Sequence, residues 1–141
     1  MAVLEKLKAP ERYRQDVNEI DDRLEVIRAR FGAGSPRLSH APGGHTNSTH
    51  DLSDYYAQAE DLIKRRRAAV VRREMAVQDV LHMLTGCTND KAREMLLRVY
   101  IQGQTRAEAA AACGMTYNAG YMAMTREIAK LEKAGRKEGE K

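Results

Sequence analysis

The sequence predicts an all-α fold, with an N-terminal antiparallel, coiled-coil-like helical hairpin followed by a compact group of short helices. Three observations carry that prediction. Aromatic residues make up 5% of the chain and Trp is absent, so any core consists of aliphatics, Ala and Met, a composition that favours helices over sheets. Apolar residues recur at spacings of three and four along the first half of the chain. Helix-capping residues punctuate the last third.

The first helix is expected to begin near Pro10, because proline suits a first helical turn. After it, Tyr13, Val17, Ile20, Leu24, Ile27 and Phe31 form one narrow seam between densely charged faces, so this helix needs a partner. The stretch from Gly32 to Thr49 holds four Gly and two Pro, and residues 32–50 read as a flexible loop. From Asp51 a second, longer helix is expected, with Leu52, Tyr56, Ala59, Ile63, Val70, Val77, Leu81 and Leu84 in one sector at ~100° per residue. At ~1.5 Å per residue it spans roughly 50 Å before Gly86 closes it. The two seams would bury each other, making residues 1–86 one helical region and 87–134 another, with 135–141 a frayed tail.

Within the second region, Asn89 or Asp90 is the expected cap of a third helix with Ala92, Met95, Leu96, Val99 and Tyr100 on its apolar face, ending before Gly103. Thr105 with Glu108 three residues on is a capping box that starts a fourth helix, Arg106 to Ala112. Gly114 turns the chain, and Thr116 caps a fifth helix running to about Ala134. Two helices can cross steeply at a tight turn when small residues sit at the contact, and Ala110 and Gly114 occupy those places. Met115, Ile128 and Leu131 would hold the fifth helix against the third and fourth.

This arrangement implies a helix-turn-helix whose last helix enters the DNA major groove. Tyr117, Asn118, Tyr121, Met122 and Thr125 would face the bases, Asn118 pairing with adenine and Met122 meeting a thymine methyl. Arg106, Arg126 and Lys130 would sit near phosphates, helped by the positive dipole end at Thr116. A helical hairpin used only for packing is the bland alternative. Gly120 and Ala123 stand where larger aliphatics usually anchor such a helix.

The run LLRVYIQGQTRAEAAAACGMTYNAGYMAMTREIAKLEK resembles the sigma-factor region-four type of helix-turn-helix. Over most of its length, including SPRLSHAPGGHTNSTHDLSDYYAQAEDLI, the chain is similar to the phage and prophage RinA-type or ArpU-type transcriptional regulators. The resemblance implies control of phage late or packaging genes, with Tyr117, Asn118 and Tyr121 at base-reading positions.

Net charge is +4 with a pI near 9.2, and the excess is local. Residues 1–31 carry seven bases against seven acids, whereas Asp61 to Glu74 carries six bases against two acids. There Lys64, Arg65, Arg66, Arg67, Arg72 and Arg73 can form a second phosphate-binding strip or an ordinary solvated face. His40, His45 and His50 are five apart but lack matching Cys or acidic partners, so no metal site and no cofactor is expected. No phosphate-cradling Gly loop, carboxylate pair or triad stands out, and enzymatic function is not expected. Cys87 and Cys113 form no CxxC, and neither a signal peptide nor a long apolar run is seen. The expected setting is a bacterial host cytoplasm, with duplex DNA as partner, a homo-oligomer (dimer favoured), and RNA polymerase as a further candidate partner. The competing expectations are a small terminase subunit recognising a packaging site, and a coiled-coil adaptor that grips RNA polymerase.

Overall fold

The structure, a computed structural model, describes residues 2–32 and 45–139. Among these residues the fold is all-α, with five helices and no strand: α1 (Ala2–Gly32), α2 (His45–Leu84), α3 (Asp90–Tyr100), α4 (Arg106–Ala112) and α5 (Tyr117–Gly139). No described helix is long and apolar enough to cross a membrane. Most of the loop expected over 32–50, with His40, lies outside the described residues, but His45 to His50 belong to α2.

Two compact units divide the chain: the residues up to Tyr13 with those from Arg72 on, and Arg14–Val71. The first unit is built on Val3, Leu7, Val80, Leu84, Met95, Leu96, Ala109, Ala110, Met124 and Leu131. It therefore draws on both ends of the 1–86 segment as well as on α3–α5. Here α1 departs from expectation, because Pro10 is not its first turn but lies inside the helix and is fully buried. Proline offers no N–H to the carbonyl four residues back, which costs a helix interior ~3 kcal/mol. Burial of Val3 and Leu7, two turns and one turn upstream, opposes that penalty. The spacing Val3, Leu7, Pro10, Tyr13 already continues the apolar seam backwards, a signal the Pro10 start overlooks.

In the Arg14–Val71 unit, Ile20, Leu24 and Leu62 form the core, with Ile27 and Ala59 against it. Asp21 meets Arg66 while Phe31 packs on Tyr55 with ring centroids 4.0 Å apart, so α1 and α2 run in opposite directions here. The buried side of α2 differs from the expected sector. Leu84 is buried as expected, but so are Leu62, Ala69, Ala76 and Val80 from outside that sector, whereas Tyr56 (65%), Ile63 (39%) and Leu81 (40%) are exposed. α2 is apolar over a wider arc than one helix can cover, and the covered part is offset from the centre of that arc.

Local capping chemistry fixes the short helices where the sequence places them. Asn89 caps α3, its side chain accepting from the N–H groups of Lys91 and Ala92. Thr105 caps α4 by accepting from Glu108 N–H at 3.1 Å. At the N-terminus of each helix a neighbouring side chain thus accepts backbone N–H groups that have no partner within the helix. α5 continues to Gly139, beyond the expected end near Ala134 and through most of the expected tail.

Candidate nucleic-acid interface

α4 ends in a Schellman turn that aims α5. Gly114 adopts φ +70°, Met115 N–H donates to the Ala110 carbonyl at 2.9 Å, and Gly114 N–H donates to Ala111 at 3.1 Å. A side chain at Gly114 would meet nothing within 4 Å, so the glycine serves the left-handed backbone and not close packing. Thr116 then caps α5, its hydroxyl accepting from Ala119 N–H at 3.2 Å.

Close packing is supplied instead by Gly120. A Cβ placed there would lie 2.9 Å from the Met95 methyl carbon and 3.1 Å from the Ala110 Cβ. Gly120 is thus the contact point of α5 with α3 and α4, and this close approach crowds any larger aliphatic at that position. Below it Met124, Glu127 and Leu131 continue the buried side, with Met115 and Ile128 partly buried against the core. Sequence reasoning missed Glu127, which is 2% exposed; its four- and three-residue spacing to Ala123, Met124 and Leu131 was the available signal.

Facing away from that side, Thr116, Tyr117, Asn118, Tyr121, Met122, Thr125, Arg126 and Lys130 are all exposed, as is Arg106 at the start of α4. Tyr117 and Tyr121, one turn apart, stack with ring centroids 6.5 Å apart and planes within 9°. The Arg106 guanidinium lies 5.1 Å from the Tyr121 centroid, and hydrogen bonding to Tyr117 pushes its pKa further up. That side chain is held as a fixed cation beside the first two turns of α5.

The remaining candidates are not equivalent. The Thr125 hydroxyl donates to the Tyr121 carbonyl at 2.8 Å, leaving only lone pairs to offer outward. Lys130 Nζ lies 3.7 Å from Glu127 Oε2 and donates to the Thr88 hydroxyl at 3.3 Å, so it leans toward the segment before α3. Arg126 has no ion-pair partner among the described residues. It lines a groove of about 390 Å³ with Asn89, Ala119, Met122, Glu127 and Lys130.

The six basic residues of α2 do not share one surface. Arg65 pairs with Asp61 at 3.0 Å, and Arg66 reaches α1 to pair with Asp21 at 2.6 Å. That pairing raises the Arg66 pKa, hydrogen bonding first and charge second. Arg73 is half-buried, its Nε buried without a hydrogen-bond partner, while Lys64, Arg67 and Arg72 are exposed.

No protein-family model matches the chain, and no curated protein and no solved structure is significantly similar to it.

Proposed function

We propose that this chain binds duplex DNA in a sequence-specific way, as a phage-type transcriptional regulator of the RinA or ArpU kind. In this reading α4 and α5 are a helix-turn-helix, α5 is the reading helix, and α1 with α2 is a helical hairpin that serves assembly. The carrying observation is the division of α5 into two sides. Gly120, Met124, Glu127 and Leu131 tie one side down, while Tyr117, Asn118, Tyr121, Met122 and Arg126 stand exposed on the other.

A helix fixed in that way can enter a major groove with its first turns leading. Asn118 supplies the amide that suits adenine, Met122 an apolar contact for a thymine methyl, and Arg106 and Arg126 cations for the flanking phosphates. Gly120 supports the reading too, because close seating of α5 on α3 and α4 gives the rigidity that a Gly within a helix would otherwise lower. The chain would act by binding and not by catalysis, as a homodimer in the host cytoplasm, where two copies address two half-sites.

Selection from a randomised duplex library, followed by fluorescence anisotropy on the enriched site, tests this. The expected result is a recoverable consensus whose binding weakens steeply with salt. Failure to enrich any sequence, together with salt-insensitive affinity, overturns it.

A further inference from the structure

α2 carries more apolar surface than α1 covers. In the Arg14–Val71 unit, α1 packs on Leu62 and Ala59. On the neighbouring side of α2, Tyr56, Ile63 and Val70 recur at seven-residue spacing as a second row, with Tyr56 and Ile63 exposed and Val70 half-buried. A row at heptad spacing is the pattern of helices that pack along their length on another helix.

The charges beside this row are self-complementary. Glu60 and Arg67 flank it, both are exposed, and neither has an ion-pair partner among the described residues. Their immediate neighbours are satisfied, since Asp61 pairs with Arg65 and Arg66 with Asp21. Seven residues of helix hold Glu60 and Arg67 about 10 Å apart, too far to pair with each other.

The apolar row is symmetric about Ile63 and the two charges are so to within one residue, about 1.5 Å of helix. Tyr56 stands seven residues before it and Val70 seven after, Glu60 three before and Arg67 four after. Turning a second copy antiparallel about a two-fold axis at Ile63 sets each Ile63 against its equivalent, Tyr56 against Val70 of the partner subunit, and Glu60 against Arg67 of the partner subunit. In a parallel pair the two charged edges would instead lie on opposite sides of the seam, each against the edge that carries Leu62 and Ala69, and Glu60 would not meet Arg67. A two-fold interface reuses one patch on both copies, which is what this symmetry supplies.

We propose that the Tyr56–Ile63–Val70 face of α2 is the surface on which a second copy of this chain docks antiparallel, with reciprocal Glu60–Arg67 pairs. The inference rests on the proposed homodimer but not on DNA binding by α5, and its test is run without DNA so that the two readings fail separately.

Sedimentation velocity of the full chain over a concentration series is the measurement. Wild type is expected to show a monomer–dimer equilibrium that weakens with salt. Glu60→Arg and Arg67→Glu, each of which makes like charges meet, should each weaken dimerisation about tenfold. The double variant Glu60→Arg/Arg67→Glu should return to within about threefold of wild type. Ile63→Asp should be monomeric, with far-ultraviolet circular dichroism unchanged because the site is on the surface. A wild type that stays monomeric overturns the proposal, as does a ring of eight or more subunits. So do single reversals without effect, or a double reversal as weak as the singles.

Discussion

The Glu127 carboxylate, 2% exposed, accepts the backbone N–H of Thr88 at 2.7 Å. The Thr88 hydroxyl lies 3.4 Å from the same oxygen, and Lys130 Nζ lies 3.7 Å from the other. One buried side chain thereby ties the middle of α5 to the residue preceding the α3 cap. Removing an acceptor from a donor that is partly buried costs about 1–3 kcal/mol. Glu127→Ala should lower stability in urea by that amount, and Glu127→Gln, which keeps an acceptor, by less. Equal midpoints for Glu127→Ala and wild type would show that this bond does not hold the helix.

Gly120 sets opposing effects against each other. Alanine gains ~1 kcal/mol of helix propensity, but its Cβ would crowd the flexible Met95 end and the less yielding Ala110 Cβ. Gly120→Ala should therefore gain less than the propensity difference. Gly120→Val should lose about 1–3 kcal/mol by overpacking. Thermal denaturation of both variants checks this, and a stabilised Gly120→Val would contradict the close approach.

Base reading and phosphate contact make different demands on DNA affinity. Arg126→Ala should weaken binding almost uniformly across sequences and reduce the salt slope by about 1. Asn118→Ala should leave that slope nearly unchanged and relax preference at one base pair by about 1–3 kcal/mol. Anisotropy titrations at several salt concentrations, on the selected site and its single-base variants, separate the two outcomes. Identical behaviour of the two variants would count against α5 as the reading helix.

Cys87 is a half-buried thiol whose pKa is pushed up, first by burial and then by the nearby Glu127 charge. Its folded value lies above the unfolded one. Its contribution to stability is therefore complete below the ordinary thiol range, about 8.5, and is lost as pH rises through the folded value. In a Cys113→Ser background, alkylation by iodoacetamide at pH 8 should be slower for folded protein than for protein in urea. A folded thiol that reacts as fast as the unfolded one would refute the shift.

How much of this was legible in the sequence depends on the range of the interaction. Asn89, Thr105, Gly114 and Thr116 each act on backbone groups within five residues, so their helix boundaries could be placed from sequence. The seam of α1 from Tyr13 to Phe31 was equally readable, because one narrow stripe leaves a single side to bury. α2 was not so readable. Its apolar residues span a broad arc, and the position of α1 decides that Leu62 goes in while Tyr56 and Ile63 stay out.

The sequence alone determined that the chain is helical and where α3, α4 and α5 begin, since caps, turns and apolar periods are chemistry between near neighbours. The tertiary structure alone decided that Pro10 lies within α1, that Gly120 is a contact point, and that Glu127 is buried. Each of these depends on a distant partner filling space or accepting a hydrogen bond. Apolar spacing hints at Pro10 and Glu127, but close packing and desolvation act between whatever surfaces the fold brings together, so a local pattern by itself does not decide them.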